Sequence, residues 1–189
     1  MTKNIMIVGV GGQGSLLASK LLGHLLLTEG YDVKVSEVHG MSQRGGSVVT
    51  YVRFGDKVYS PVVDKGEADA IVSFELLEAA RYVEYLKPDG KIVVNTQTID
   101  PMPVITGAAQ YPENLVEKMR AAGAFVDAID CLAKAEEVGS NKVVNIVLMG
   151  RLSNYFDFPE ETWLRAIEAI VPPKTIEMNK KAFLLGRAK

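Results

Sequence analysis

The chain has 189 residues, 48% of them hydrophobic and 23% charged, enough for one compact domain with a sizeable core and too few for two ordinary ones. Its 21 basic and 23 acidic side chains leave a net charge of −2, so no basic excess is available to hold a nucleic-acid backbone. One cysteine, Cys131, and two histidines, His24 and His39, exclude an internal disulfide, a four-cysteine zinc site and an iron–sulfur cluster carried by this chain's thiols alone.

The most apolar stretches are residues 5–10 and 16–27. Glycines interrupt the first, and Lys20 and His24 interrupt the second. Neither approaches the roughly 20 apolar residues of a membrane span. Lys3 ahead of an apolar run imitates a signal peptide only faintly, because the run is short and no small-residue cleavage site follows. The expectation is a soluble cytoplasmic protein with no membrane or nucleic-acid partner.

Taken in chain order, Asn4–Val10 is a nearly continuous apolar run, the pattern of a strand covered on both faces. Gln13–Glu29 reads as a helix, with Leu21/Leu25 and Leu22/Leu26 recurring at i, i+4 and Gly30 placed to end it. Asp32–Glu37 is a second strand. His39–Gly46 is a glycine-rich polar loop, and Ser47–Phe54 alternates as a strand does. Gly55-Asp56 turns the chain into a further extended piece, Lys57–Ser60. Ala70–Phe74 reads as a strand and Glu75–Leu86 as a helix. Pro88-Asp89-Gly90 turns into the strand Lys91–Asn95. A helix near Pro112–Ala122 precedes the strand Ala124–Ile129, and Cys131 begins another helix.

The last third is helical. Lys142–Tyr155 is strongly apolar and is expected to lie mostly inside the chain's own core. Glu160–Val171 carries Trp163, Leu164, Ile167, Ile170 and Val171 on one stripe, stopped by Pro172-Pro173. Thr175–Leu185 forms the final helix. Strands alternating with helices predict an α/β fold in three αβα layers. The sheet is expected to be mostly parallel and Rossmann-like, within a single domain over residues 1–189.

Gly9-Val10-Gly11-Gly12-Gln13-Gly14 fits G-x-G-x-x-G, follows a predicted strand and opens a helix. Such a turn brings backbone N–H groups and a helix N-terminus to an anion, or serves only close strand–helix packing. Glu37, at the end of the second strand, is placed to accept from a ribose, which makes a stand-alone NAD(P)-binding oxidoreductase the alternative to weigh. Two features weigh against it. No crossover helix follows the second strand, and no Tyr-x-x-x-Lys or comparable hydride-transfer constellation is present.

The second loop carries His39, Gly40, Met41, Ser42, Gln43, Arg44, Gly45 and Gly46. Loops at the carboxyl ends of parallel strands face one crevice, so this loop and the glycine turn are expected side by side. Arg44 suits a phosphate or carboxylate, or an interface salt bridge. His39 reads equally as a hydrogen-bonded structural residue. Cys131 reads as a buried structural cysteine rather than a reactive one.

The two motifs together, GVGGQG (Gly9–Gly14) and EVHGMSQRGGSV (Glu37–Val48), resemble the gamma-type domain of the 2-oxoacid:ferredoxin oxidoreductases. The form of the second motif is most similar to the small (beta) subunit of the indolepyruvate type. Glu75, Glu78, Lys87-Pro88-Asp89-Gly90, Asn145, Gly150, Asn179, Ala182 and Gly186 agree with that family's spacing, so the likeness spans about residues 5 to 186.

The resemblance implies a catalytic assembly that decarboxylates a 2-oxoacid oxidatively to an acyl-CoA and passes electrons to ferredoxin. It implies that a large (alpha) partner subunit holds the thiamine diphosphate and the 4Fe–4S clusters. This chain then holds no cofactor or metal and contributes no catalytic residue. Gly9, Gly11, Gly12, Gln13 and Gly14, with Glu37 and the second loop, are then expected to face the partner or to help seat coenzyme A. An isolated chain is expected to form homodimers in place of the missing partner.

Overall fold

A computed structural model of the protein describes residues 2–39 and 45–188, and of His39 only the backbone. Six strands, β1 (Lys3–Val10), β2 (Asp32–His39), β3 (Ser47–Gly55), β4 (Ala68–Ser73), β5 (Leu86–Asn95) and β6 (Phe125–Ile129), form one sheet in the order β2-β3-β1-β4-β5-β6. β1, β4, β5 and β6 run parallel. β3 is antiparallel to both of its neighbours, as a strand entered by a loop instead of a crossover helix must be. The α/β class and mostly parallel sheet expected from the sequence are therefore present, with β3 wedged between β1 and β2.

The apolar runs of β1, β4 and β5 are continuous because both faces of the sheet are covered. Ile5, Ile7, Val72 and Val93 point to one face, Met6, Val8, Ile71 and Ile92 to the other, and all eight are fully buried. On the first face lie α1 (Ser15–Thr28), α5 (Cys131–Val138), α6 (Val144–Leu152), α7 (Glu160–Ile170) and α8 (Ile176–Arg187). The second face is covered by α2 (Leu76–Arg81) and α4 (Leu115–Ala121). A single helical turn, α3 (Met102–Ile105), sits in the long connection after β5. Among the described residues, no helix is long and apolar enough to cross a membrane.

Three boundaries differ from the sequence reading. α1 begins at Ser15 rather than Gln13, because Gly12 and Gly14 take left-handed backbone angles, φ 100° and 90°. The helix expected over Glu75–Leu86 is α2 followed by a 3-10 turn at Val83–Tyr85, and Leu86 already belongs to β5. Residues 57–60 are irregular rather than extended in a strand. The Arg53 guanidinium holds this segment by donating to the carbonyls of Ser60 and Val62, at 3.1 and 2.6 Å.

α6 lies between the sheet and α8, and Asn145 through Gly150 are buried without a break. The two helices meet backbone to backbone. A methyl group added at Gly150 would stand 2.1 Å from the Phe183 carbonyl oxygen, and one at Gly186 would stand 1.9 Å from that of Val147. No side chain can yield at either place, so the helices themselves would have to part. Gly186→Ala should therefore cost about 3 kcal/mol, lowering the Tm of a chain this long by roughly 6–12 °C. Gly23→Ala is the control. Its new methyl meets only Val35 Cγ2, at 3.9 Å, so stability should rise by about 0.5–1 kcal/mol. Thermal unfolding of both variants measures the contrast.

Candidate functional site

The glycine turn sits at the carboxyl end of β1. Its glycines let the chain reverse into α1, and Gln13 closes the turn from inside. The Val10 N–H donates to Gln13 Oε1 at 2.7 Å. Gln13 Nε2 donates in turn to the Phe74 carbonyl at 3.0 Å and to Gln97 Oε1 at 3.2 Å. One side chain thus joins the carboxyl ends of β1 and β4 and the connection after β5. Gly9 leaves room for it, since a methyl there would stand 2.9 Å from Gln13 Oε1 and 3.0 Å from Phe74 Cβ. At Gly14 a methyl would meet Asn145 Nδ2 at 2.7 Å, so α6 packs directly against the turn.

The structure brings the two loops together. The Gly11 N–H donates to the Gly46 carbonyl at 2.9 Å, so the end of the second loop lies against the glycine turn. Gly45 also takes a left-handed backbone angle, φ 76°. His39 ends β2. Gly40, Met41, Ser42, Gln43 and Arg44 lie outside the described residues. Glu37 is not beside the glycine turn. It pairs across the ladder with Thr50 of β3, whose hydroxyl donates to Glu37 Oε2 at 3.0 Å. In a dinucleotide-binding fold the second strand adjoins the first, whereas here β3 separates them.

Two buried carboxylates, both read in the sequence but not as site residues, organise the neighbouring cleft. Glu75 is 1% exposed and caps α2 by accepting from the Glu78 N–H at 2.8 Å. Its other oxygen accepts from the Ile99 N–H at 3.1 Å and from the Tyr111 hydroxyl. Both ends of the connection carrying α3 are thereby clasped to one residue. Burial, then the Glu75 carboxylate, pushes the Tyr111 hydroxyl well above its usual pKa.

Glu78 accepts from the Ser47 hydroxyl at 2.5 Å and meets Arg81 Nε at 3.4 Å. Tyr82 Oη lies 3.4 Å from the same Ser47 oxygen. Ser47, Glu75, Glu78 and Arg81 line a cleft of about 180 Å³ whose other walls include Val10, Ile99 and Pro101. Leu16 on α1, and Met102 and Ile105 on α3, are more than half exposed at this end, beside exposed polar residues, Thr96, Gln97, Thr98 and Asp100. Cys131 stands apart, fully buried, and burial raises its thiol pKa far above the usual range. Among the described residues, no group of three or more His, Cys, Asp or Glu side chains is placed to hold a metal ion.

A six-stranded mixed sheet, a self-closing glycine turn and a helical final third define a class of α/β domain, and comparison with known proteins identifies it. Residues 4–189 match the pyruvate ferredoxin/flavodoxin oxidoreductase family, and the chain belongs to that family. It is 48% identical over 190 residues to the indolepyruvate oxidoreductase subunit IorB of Thermococcus kodakarensis, covering 97% of this chain and 93% of that one. The fold matches the pyruvate oxidoreductase subunit PORC of Thermotoga maritima with a TM-score of 0.76, at 23% identity and over 98% and 94% of the two chains. It also matches the 2-oxoglutarate:ferredoxin oxidoreductase of Magnetococcus marinus, solved with 2-oxoglutarate, coenzyme A and succinyl-CoA bound. There the TM-score is 0.74 at 21% identity, over 98% of this chain and 30% of that one. Family membership and strand order together set aside the stand-alone NAD(P)-binding enzyme.

Glu78 makes the site sensitive to pH. Burial, the largest cause, raises the pKa of its carboxyl above the ordinary glutamate value. The folded chain then binds more protons than the unfolded one from about pH 4.3 up to the raised value. Stability contributed by this residue is present below that window and falls as pH rises through it. Glu78→Gln should remove this fall. In urea unfolding the variant should gain stability at pH 7 relative to pH 4 compared with the parent, and an unchanged pH dependence would overturn this assignment.

Proposed function

We propose that the chain is the small subunit of an indolepyruvate:ferredoxin oxidoreductase, folded as a single domain over residues 1–189. The reaction consumes an arylpyruvate and coenzyme A. It yields the arylacetyl-CoA, carbon dioxide and a proton, with two electrons passing to ferredoxin. The observation that carries this reading is the near-complete overlap, at 48% identity, with an indolepyruvate oxidoreductase subunit.

In this reading a large subunit holds the thiamine diphosphate and the 4Fe–4S clusters, and this chain completes the assembly without forming or breaking bonds. Its single, deeply buried thiol supports that division, because such clusters need several cysteine ligands. The assembly works in the cytoplasm.

The large subunit docks on the carboxyl end of the sheet, against the glycine turn, the second loop and the clasped connection. Two things support this face. Several backbone donors and buried carboxylates there are already engaged within the chain. Three large apolar side chains, Leu16, Met102 and Ile105, project from it. The second loop either faces the large subunit or helps to seat coenzyme A, with Arg44 the residue suited to a phosphate. Isolated copies pair through the same face.

Co-expression tests this. Arylpyruvate-dependent ferredoxin reduction should require both chains, and full activity from the large subunit alone would overturn the proposal. Paired Met102→Glu and Ile105→Glu substitutions should abolish co-purification of the two subunits while leaving the far-ultraviolet circular dichroism unchanged. In Arg44→Ala, loss of one charge-assisted phosphate contact should raise the KM for coenzyme A by about tenfold in a complex that still assembles. Failure of assembly would assign Arg44 to the interface.

A further inference from the structure

Lys87-Pro88-Asp89-Gly90 has no part in the glycine-turn site, yet the backbone there is specialised. Ala68 of β4 pairs with Leu86 of β5, and Ala70 pairs with Lys91. Two steps along β4 are therefore matched by five along β5, and the intervening residues bulge out of the ladder. Gly90 permits the close approach. A methyl there would stand 2.8 Å from the Ala68 carbonyl oxygen and 2.6 Å from Leu86 Cδ1. Bulges of this kind re-aim side chains and recur beside binding sites.

Lys87 and Asp89 both line a groove of about 580 Å³ at the amino ends of β1, β4 and β5, the opposite end of the strands from the glycine turn. That volume is typical of small-molecule sites. The facing wall is aromatic: Tyr31 and Phe54 meet edge to face at 5.2 Å, and Phe156 and Phe158 stack at 6.4 Å. Tyr31, Phe156 and Phe158 are only partly buried, so ring surface remains open to the groove. Lys3 and Lys87 both meet Asp69 Oδ1, two ammonium groups on one carboxylate. With Lys91, Asp89 and Asp157, three lysines face three aspartates around the groove.

We propose that this groove binds a phosphorylated nucleoside. The base lies against the aromatic wall, where stacking tolerates any base. The phosphate meets Lys3 and Lys87, and sugar hydroxyls donate to Asp89 and Asp157. A simple aromatic acid fits less well, because it has no sugar hydroxyls to donate to Asp89 and Asp157. The groove is remote from the glycine turn, so Lys87 substitutions address this site and not the coenzyme A contact proposed above.

Calorimetry on the full chain, alone and in its purified complex, tests the assignment with AMP, adenosine and inorganic phosphate as probes. AMP should bind with a Kd below about 1 mM, and adenosine and phosphate should each bind at least tenfold more weakly. Lys87→Gln and Phe156→Ala, made separately, should each weaken AMP about tenfold. Lys87→Gln changes a partly exposed side chain, so it keeps the test valid if the aromatic variant unfolds. Absence of AMP binding to the folded chain, or binding unchanged in Lys87→Gln, would overturn the proposal.

Discussion

Helix α6 is buried along most of its length, and its burial sets the position of the elements around it. A helix enclosed between a sheet and a second helix needs close approach on both sides. On the α8 side that approach is made by bare backbone, at Gly150 against Phe183 and at Gly186 against Val147. The first turn of α6 reaches the glycine turn, where Asn145 Nδ2 faces the Gly14 carbonyl at 3.4 Å. At its last turn Arg151 holds Asp127 of β6 through two nitrogens, at 2.6 and 2.9 Å, and donates to the Ala188 carbonyl at 3.1 Å. Tyr155 adds its hydroxyl to the same aspartate at 2.6 Å. The glycine turn is thus located by core packing, through α6, as well as by its own strand and helix.

The same turn explains why a phosphate-loop signature need not mean a dinucleotide. A pyrophosphate cradle works because backbone N–H groups at the turn lack partners of their own. In this chain Gly11 N–H is taken by Gly46, Gln13 N–H by Val10, and Val10 N–H by the Gln13 side chain. The glutamine closes the turn from inside. It also reaches Phe74 and Gln97, so the space between adjoining parallel strands is filled by the protein itself. Gly9 and Gly14 serve close packing, against Gln13 and Asn145.

Much of this was legible in the sequence, for local reasons. Strands β1, β4 and β5 announce themselves because burial on both faces leaves no polar position to hide them. The absence of a crossover helix after Glu37 correctly signalled an irregular second half, although not that β3 would separate β1 from β2. The glycine turn and the apolar α6 were readable because their signals lie within a few residues. What escaped depends on distant pairings. Glu75 and Glu78 look like ordinary helix-surface charges until Tyr111 and Ser47, 36 and 31 residues away, come to meet them. The spacing predicts a helix over Glu75–Leu86 because its apolar pattern continues through the 3-10 turn, whereas α2 ends at Arg81 in the structure. The bulge at Gly90 is a property of two strands and has no signature in one.

The two ends of the parallel strands differ in a way that bears on what each can meet. At the carboxyl end many polar groups are paired internally, with Glu75 and Gln13 both holding the connection after β5, and Leu16, Met102 and Ile105 project among polar side chains. Apolar side chains set in a polar surround suit a protein surface, which supplies area and excludes water from them. At the amino end the arrangement is inverted. The apolar surface is recessed, as rings along one wall, and the charges of Lys3, Lys87, Asp89 and Asp157 stand around it. A flat partner cannot reach recessed rings, whereas a planar small molecule with a polar tail can. The parallel strands therefore separate two kinds of recognition by their own length, and a substitution at one end leaves the chemistry of the other intact as long as α6 holds the sheet between them.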